Sequence, residues 1–585
     1  MRFTTLRQLA LTALLALVWT TSACRSCGTV RERAGSQRGG KIIYRVSSAP
    51  ASFNYLQARD DNSMIVAFYL MGGRLIEFDH KNQQYVLGLA ESLRRLDDGK
   101  TVELTLRDGI KFSDGHPITA EDVIFTLRAI YDERTASIFR DVMMIGNRQI
   151  EASIPEGTDG QGGRRLRFVF PDVVASPENY LSNLAVLPRH VLEADFNRGA
   201  LRDAYGLTVD PSRVITAGAF AAESAAPGER VTLKRNPYYW KKDSAGAPLP
   251  YLDQLVIDVV KDANNAFLRL RQGSLDIYDR LRPPDYAELR SQSGVTQVSD
   301  LGPGLPTDHL WFNLNVGELK GRPVVNPVKS AWFNDTHFRQ AVSNAIDRQG
   351  IASTILQGLA KPLYGYVSPG NRKWIAADLP PIAYDMERSR ALLRDAGFTT
   401  QGPQDRPELY DAKGNRVEFT LIVPSPSQPL KDMAIVIQGD LAQLGIKMQV
   451  APIDFGDLQR RILESYDYDA CLLVTSLNEP DPSSYSNFLS SSSPTCRWRP
   501  KQSKPATFWE ARIDDLLAKQ SRETNPDRRR AAFNEIQLLL AEQLPVIPIV
   551  SRHVSVAANQ RVGNYSPSAI FPYSLWNAEE LFIRQ

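Results

Sequence analysis

The sequence predicts a mixed α/β protein built from about two to four domains or subdomains. Its 585 residues are too many for one ordinary hydrophobic core. From residue 40 onward, strand-like and helix-like segments alternate along the chain instead of forming one block of each. Hydrophobic residues make up 43% and charged residues 23% of the sequence, which is typical of soluble globular proteins.

The charge balance argues against a nucleic-acid partner. The formal net charge is +3 over the whole chain, whereas a nucleic-acid-binding protein needs a clustered basic stripe. The clearest basic cluster, Arg528 to Arg530, lies in a helical pattern with apolar neighbours. We interpret it as a solvated helix face.

The N-terminus has the pattern of a secretory signal peptide. Arg2 and Arg7 supply a basic region, and residues 9–19 form an apolar run. This run is shorter than the roughly 20 apolar residues needed to span a bilayer. We therefore predict a signal peptide over residues 1–23 and export of the protein.

The residues Thr-Ser-Ala-Cys that end at Cys24 resemble a bacterial lipobox. That resemblance implies that Cys24 is diacylated and becomes the mature N-terminus. Thr21 stands where lipoboxes favour Leu, so ordinary cleavage is the alternative. Residues 24–40 are rich in Arg, Gly and Ser and are predicted to form a disordered tether.

The elements of the first half are recognised by their periodicity and their flanking residues. Asp60 is a capping candidate for one helix, and Thr119 followed by first-turn acids such as Asp122 caps another. The nearly continuous apolar run 255–260 predicts a strand buried on both faces of a parallel or mixed sheet. The predicted strands are 41–46, 102–106, 166–170, 216–220, 231–233 and 255–260, and the predicted helices are 62–75, one that begins at 119 and one through Leu268 and Leu270.

The second half repeats the alternation. Residues 432–444 form a strongly amphipathic helical pattern, and Gly445 is a suitable C-cap. The predicted strands are 310–314, 418–423, 447–450 and 545–550, and the predicted helices are 338–347, 432–444, 458–464, 508–520 and 527–543.

Two cysteines outside the N-terminal region leave two alternatives open. Cys471 and Cys496 would meet an oxidising compartment after export and could form a disulfide. Cys471 also lies in the apolar run 470–474, where a cysteine is typical of a small buried hydrophobic residue.

The sequence lacks the motifs of the common enzyme classes, and we predict no catalytic site, cofactor or metal. Gly99-Lys100-Thr101 resembles part of a phosphate-binding loop, but Arg94 stands where that motif needs glycine. The six histidines are scattered singly, and no Gly-x-Ser-x-Gly motif is present.

Four segments, in order along the chain, resemble the family 5 extracellular solute-binding proteins, which include bacterial dipeptide-, oligopeptide- and nickel-binding proteins. The strongest is Leu-Arg-Asp-Gly-Ile-Lys-Phe-Ser-Asp-Gly-His-Pro-Ile-Thr-Ala-Glu-Asp-Val at 106–123. The others are Leu-Lys-Arg-Asn-Pro-Tyr-Tyr-Trp at 233–240, Phe-Arg-Gln-Ala with Ala-Ile-Asp-Arg between 338 and 348, and Tyr-Asp with Ala-Leu-Leu-Arg-Asp-Ala-Gly-Phe between 384 and 398. The Ser-Asp-Gly turn and the Thr119 cap explain the strongest motif as fold-forming.

This resemblance implies a periplasmic-binding-protein-like α/β fold, in which two α/β lobes are joined by a two-stranded hinge. An extra subdomain is inserted in the first lobe, and ligand lies in the cleft between the lobes. The expected bounds are 41–84, 212–305 and 548–585 for the first lobe, 85–211 for the inserted subdomain, and 306–547 for the second lobe.

The resemblance also implies a ligand site near residues 475–485. In peptide-binding relatives an Asp in this segment pairs with the α-ammonium of the ligand. Depending on which proline turn is aligned, that position is Asn478 or Ser476 in this chain. Glu479 and Asp481 are the acids that can substitute for it. The candidate ligand-binding residues are Ser476, Asn478, Glu479, Asp481 and Tyr485.

The implied function is to bind a peptide or peptide-like solute and deliver it to an ABC permease and ATPase complex. The protein is expected to be a monomer in the periplasm or on the outer face of the cytoplasmic membrane, held by its lipid anchor. One alternative is a non-peptide solute, such as a metal chelate or an oligosaccharide that stacks on tryptophan. Others are a chemosensory receptor partner and an exported hydrolase. The tryptophans and acids considered for these alternatives are Trp311, Trp332, Trp374, Asp467, Asp469 and Glu479.

Overall fold

The computed structural model describes residues 38–156, 163–292, 294, 296–319, 321–477 and 480–584. The predicted signal peptide, Cys24 and most of the predicted tether lie outside the described residues, as do Asn478 and Glu479. Within the described ranges, no helix is both long enough and apolar enough to cross a membrane.

The strands are numbered in chain order. They are β1 Lys41–Val46, β2 Ile76–Asp79, β3 Gln84–Leu87, β4 Ala90–Arg95, β5 Thr101–Leu106, β6 Met144–Ile145, β7 Arg148–Gln149, β8 Glu151–Ser153, β9 Arg165–Val169, β10 Phe220–Ala226, β11 Arg230–Arg235, β12 Gln254–Val259, β13 Ile277–Asp279, β14 Thr296–Pro303, β15 Thr307–Phe312, β16 Glu318–Leu319, β17 Arg322–Pro323, β18 Ala360–Pro362, β19 Thr399–Gln401, β20 Glu408–Tyr410, β21 Glu418–Pro424, β22 Lys447–Ile453, β23 Ala470–Thr475, β24 Val546–Asn559, β25 Val562–Gly563 and β26 Phe582–Ile583.

The α-helices of five residues or more alternate with these strands. They are Ala120–Tyr131, Pro177–Leu181, Arg189–Asn197, Ala263–Arg271, Pro283–Ser291, Pro327–Asn334, Thr336–Ala345, Met386–Asp395, Gln428–Ala442, Phe455–Arg460, Phe508–Arg522 and Pro526–Gln543.

One mixed sheet of twelve strands runs through both lobes, in the order β10-β11-β12-β1-β13-β24-β15-β23-β21-β22, while β14 and β18 also pair with β24. Strand β24 is the element that the two lobes share. Its first half pairs antiparallel with β15, and its second half pairs antiparallel with β13 and β14. The chain therefore crosses between the lobes twice, once from β14 to β15 and once along β24.

Two large hydrophobic cores lie on either side of these crossings. Buried residues of the first core come from 42–277 and 554–581, and those of the second core come from 310–550. The cores therefore separate where the sheet passes from β14 to β15 and in the middle of β24. The mixed α/β fold with two lobes and a two-stranded hinge is thus confirmed, whereas the bounds proposed for each lobe stay a prediction.

The extra subdomain contains a four-stranded sheet in the order β4-β5-β9-β8. Its helix Ala120–Tyr131 begins with the predicted capping box, because Asp122 accepts hydrogen bonds from the backbone NH and the hydroxyl of Thr119, both at 2.9 Å. Gly115, in the turn before it, has a φ of +89°, a conformation that favours glycine. The strongest family motif therefore forms local structure, as the sequence predicts.

Several predicted elements differ from the structure in their bounds: the helix predicted at 62–75 ends at Leu70, and the strand predicted at 310–314 is β15, Thr307–Phe312. Residues 216–219 form a loop, and β10 begins only at Phe220. The loop packs closely on the first lobe, because a Cβ at Gly218 would lie 2.4 Å from the carbonyl carbon of Met71. The strand predicted at 545–550 extends to Asn559 as β24, because its second half continues into the first lobe.

The disulfide alternative for Cys471 and Cys496 is wrong: both are buried free thiols. Cys471 lies on β23 among the residues of the second core, as the alternative of a small buried hydrophobic residue predicts. Burial raises the pKa of both thiols and keeps them protonated.

Gly370 packs against one of the two crossings between the lobes, which makes it a sensitive position. An added Cβ would lie 2.4 Å from the carbonyl oxygen of Pro303 and 2.7 Å from that of Gly304. We expect Gly370→Ala to lower the free energy of unfolding by about 1–3 kcal/mol, because backbone must move to admit the methyl group. Urea unfolding of the purified protein measures this.

Gly439 is the matched control for this substitution. It lies in the helix Gln428–Ala442, and a Cβ there would meet nothing within 4 Å. Gly439→Ala should therefore be neutral or stabilise the protein by up to about 1 kcal/mol, since alanine favours helix. Equal effects of the two substitutions would contradict the packing argument.

Because His309 on β15 is buried, we expect the protein to lose stability in acid. Its ring is fully buried, stacks on Tyr366 and lies with Nδ1 3.2 Å from Thr475 Oγ1. Burial, reinforced by the charge of Arg497, lowers its pKa to about 3. The unfolded chain binds this proton near pH 6.5, so the contribution of neutral His309 is complete above that pH and is lost as pH falls from about 6.5 to 3.

We expect this histidine to cost about 2 kcal/mol of unfolding free energy at pH 5 relative to pH 8. His309→Phe should lower stability at pH 8, because the bond to Thr475 is lost, but should reduce the further loss at pH 5. Urea titrations at the two pH values measure both effects. The same acid loss in the variant as in the wild type would refute the assignment.

Candidate functional site

In the part of the chain that the structure describes, three cavities lie between the lobes. Their volumes are about 330, 460 and 300 Å³, and each is lined by residues from both sides of the hinge. Ligand sites are typically concave and lie between domains. We refer to these as the first, second and third cavities, in that order.

The first cavity lies directly on the hinge. Gly304 and Pro306, between β14 and β15, form part of its wall, as do Arg552 and His553 of β24. The first lobe adds residues 280–283, which follow β13. The second lobe adds apolar side chains and the end of β23; these residues are Leu356, Leu359, Pro429, Val474 and Ser476.

The basic side chains of this cavity are held by carboxylates. Arg552 donates from Nε and Nη2 to the two carboxylate oxygens of Asp308, both at 2.7 Å. Asp308 is buried, and although burial acts to lower the pKa of Arg552, the attraction of Asp308 outweighs it and the pKa is raised. His553 Nδ1 lies 2.9 Å from Asp300 Oδ2.

Arg282 and Arg280 enter the cavity from the loop after β13. Arg282 forms a two-point contact with Asp285, from Nε at 2.7 Å and from Nη2 at 2.8 Å. Arg280 Nη1 lies 3.4 Å from Asp61 Oδ2, and its guanidinium lies 5.6 Å from the centre of the Tyr573 ring. Each arginine therefore has an orienting partner.

The backbone at Arg280 is strained. Its φ is +57°, which is uncommon for a residue with a side chain. The preceding residue, Asp279, is buried and accepts hydrogen bonds from Tyr44 Oη at 2.9 Å and from Ser574. Burial raises the pKa of Asp279. These contacts anchor the end of β13, so that the chain turns at Arg280 and directs it into the cleft.

The second and third cavities are lined by residues outside β14, β15 and β24. The second has an apolar wall that includes Phe68, Ile138 and Phe139, and Ser484 lines it from the second lobe. The third lies between residues 83–85 and Trp374. Asp61 lines the second cavity and pairs with Arg280 of the first, so this ion pair joins the two cavities.

The candidate ligand-binding residues predicted from the sequence lie in different surroundings in the structure. Ser476 is exposed and lines the first cavity. Asp481 is buried in a two-point ion pair with Arg529, at 2.9 and 2.6 Å, so its carboxylate oxygens are occupied although the residue borders the third cavity. Tyr485 is buried in the second core, and its hydroxyl accepts from Asn371 at 3.3 Å. Tyr485 lines none of the three cavities.

Sequence reasoning missed the arginines of the first cavity. No motif identifies them, because Arg280, Arg282 and Arg552 lie far apart along the chain and only the fold brings them together. The run Asp-Arg-Leu-Arg-Pro-Pro after a short apolar strand was the available signal. In the residues that the structure describes, no group of three or more His, Cys, Asp or Glu could hold a metal ion.

Contacts outside the hinge hold the lobes together around these cavities. Arg522 forms an ion pair with Asp172 at 2.7 Å, and the backbone NH of Ala175 donates to the carbonyl of Ser521 at 2.7 Å. Gln83 Nε2 donates to the carbonyl of Gly370 at 3.0 Å. The structure therefore represents a form in which the lobes are in contact away from the hinge.

Replacing Asp481 tests whether it holds the fold or the ligand. Both Asp481 and Arg529 have side chains only 6% exposed. We expect Asp481→Asn to lower the free energy of unfolding by about 3 kcal/mol or more in ligand-free protein, because it leaves Arg529 buried without a charged partner. Urea unfolding measures this.

Glu523→Gln is the matched control, because Glu523 pairs with the exposed Arg528 at 3.0 Å. It should cost less than about 1 kcal/mol. Unchanged stability of ligand-free Asp481→Asn protein, together with loss of ligand affinity, would instead assign Asp481 to the ligand.

Comparison with known proteins agrees with this architecture. The family model described as bacterial extracellular solute-binding proteins, family 5 Middle, matches residues 84–495. The "Probable ABC transporter-binding protein" of Deinococcus radiodurans is 27% identical over 88% of this chain and 87% of that protein. The oligopeptide-binding protein AppA of Bacillus subtilis is 24% identical over 98% of each chain.

Solved structures share the fold. The structure of AppA from Bacillus subtilis in complex with a nonapeptide has a TM-score of 0.70 to this chain at 23% identity, and the match covers 94% of this chain and all of that one. The solved structure shows the fold, whereas the family model, which matches most of the chain, shows the family. The chain belongs to the bacterial extracellular solute-binding proteins of family 5.

Proposed function

We propose that this chain is the substrate-binding component of an ABC importer, which captures a peptide or peptide-like solute and delivers it to the permease. The observation that supports this most directly is the set of three cavities lined by residues of both lobes. Relatives that are named oligopeptide-binding or di/tripeptide-binding proteins also support a peptide.

Solute capture follows from the hinge. The covalent crossings are the segment between β14 and β15 and the middle of β24, so small rotations there move whole lobes. A solute in the first or second cavity touches both lobes at once and therefore favours the closed form over the open one. The ion pair between Asp172 and Arg522 adds little, because it is at the surface.

The location proposed for the protein rests on the N-terminal sequence. Export, diacylation of Cys24 and a tether to residue 40 would hold a monomer in the periplasm or at the outer face of the cytoplasmic membrane. There it would meet the permease and ATPase complex as a loaded, closed binding protein.

A library screen tests the choice of solute. Purified mature protein, freed of co-purifying solute by partial unfolding and refolding, is heated with pools of tri- and tetrapeptides, oligosaccharides and metal chelates. Peptide pools should raise the melting temperature, because a ligand at 100 times its Kd stabilises the folded state by about 2.7 kcal/mol. Stabilisation by sugars or chelates alone would contradict the peptide assignment while leaving solute binding intact.

A further inference from the structure

We propose that the first cavity binds a carboxylate of the solute, next to an apolar side chain, and that a free α-ammonium contributes nothing to affinity there. This rests on the proposed function for the location of the solute in the cleft, and it specifies the chemistry of that solute. The evidence is the arrangement of charges and apolar groups around this cavity.

Three guanidinium groups line the first cavity, those of Arg280, Arg282 and Arg552. Their side chains are 54%, 44% and 32% exposed, so each still presents a surface to the cleft. A carboxylate placed among them can gain charge-assisted hydrogen bonds from their remaining N–H groups, because Asp308 and Asp285 already accept from Nε and Nη2 of Arg552 and Arg282.

The carboxylates that orient two of these arginines are out of reach of a solute. Asp308 is 1% and Asp285 6% exposed at the side chain. Asp308 is also the single carboxylate among the described residues that line this cavity, and both of its oxygens accept from Arg552. A solute therefore meets Arg552 and Arg282 and not the two carboxylates that orient them.

An ammonium group is disfavoured for the same reason. It would approach three like charges, and partial exclusion of water strengthens that repulsion. Ser476, one of the two positions aligned with the ammonium-binding Asp of peptide-binding relatives, is neutral and lies in this wall. The guanidinium groups that face the first cavity thus suit a carboxylate better than an ammonium.

The apolar part of the wall determines what accompanies the carboxylate. Leu281 and Pro283 from the first lobe face Leu356, Leu359, Pro429 and Val474 from the second. An aliphatic or aromatic side chain next to the carboxylate buries its surface against both groups. The expected solute is therefore a peptide-like acid whose terminal residue is apolar.

Removal of the Asp61 carboxylate also tests the proposal, because the expected change in affinity is opposite to that expected for Arg280. Its side chain is 47% exposed, and it pairs with Arg280 at 3.4 Å, so it competes with the solute carboxylate for that arginine. If Asp61 instead held a solute ammonium, its removal would weaken binding. The two roles therefore predict opposite changes in affinity.

The first experiment measures affinity by calorimetry for N-acetyl-Ala-Ala-Leu in three variants and the wild type. Arg280→Gln should weaken binding by about tenfold or more, and Asp61→Asn should strengthen it by about threefold. Arg528→Gln is the control, because Arg528 is 70% exposed and pairs with Glu523 outside the first cavity. Unchanged affinity in Arg280→Gln, or weaker binding in Asp61→Asn, would overturn the proposal.

The second experiment varies the solute. Four pools are offered to wild-type protein, and bound species are identified by native mass spectrometry: tri- and tetrapeptides with free termini, the same peptides N-acetylated, the same peptides C-amidated, and non-peptide aliphatic and aromatic carboxylates. Retention of the free and acetylated pools with loss of the amidated pool is the expected result.

The outcomes separate this inference from the proposed function. Equal retention of amidated and free peptides, or loss of the acetylated pool alone, would overturn the carboxylate inference while the peptide function stands. Binding of the non-peptide carboxylates alone, abolished by Arg280→Gln, would support the inference and overturn the peptide function. Failure of all four pools would contradict both.

Discussion

The backbone hydrogen bonds of β24 are the constraint on which both lobes depend. One half of the strand completes the sheet of the second lobe through β15 and β18, and the other half completes that of the first through β13 and β14. Because a strand in register on both sides cannot slide, the hinge allows rotation of the lobes but little translation. The first cavity lies on this strand, so its shape is tied directly to the angle between the lobes.

The same constraint explains the charge arrangement at the hinge. Arg552 and His553 are neighbours on β24 and pair with Asp308 and Asp300, which lie on the two successive strands of the other crossing. Each lobe thus anchors one side chain of β24, and these two residues lie between the parts of the strand that belong to the two cores. Asp308 is buried, and a buried carboxylate is costly unless it is paired, which accounts for Arg552 next to it.

Much of the fold was predictable from the sequence, because it follows from local rules. The helix start at Thr119 and the turn at Gly115 need only nearby residues, and the buried strand predicted at 255–260, observed as β12 Gln254–Val259, follows from its apolar run. Gly445 has a positive φ, but the helix before it ends at Ala442 and its C-cap is Gln443. The two-lobed arrangement was predictable because four segments resemble a known family in the same order along the chain. The full length of β24 was not predictable, because an apolar run that ends does not reveal a strand that continues into another lobe.

The candidate site was harder to predict for a related reason. Ser476 is a candidate because of its position relative to a nearby proline turn, and it lines the first cavity. Asp481 resembles a ligand-binding residue in sequence, but its carboxylate is paired with Arg529. The choice between these two depends on contacts between residues far apart in the chain, which no local pattern contains.

The late position of β24 has a consequence for how the protein is made. Both cores include residues beyond 545, so neither lobe can be completed until that part of the chain has been synthesised. A growing chain of this protein therefore lacks a finished lobe for most of its synthesis, and its native contacts join residues hundreds of positions apart, such as Ile277 and Ala558. Such topologies fold slowly. Loss of β24 alone would also leave both lobes incomplete at once.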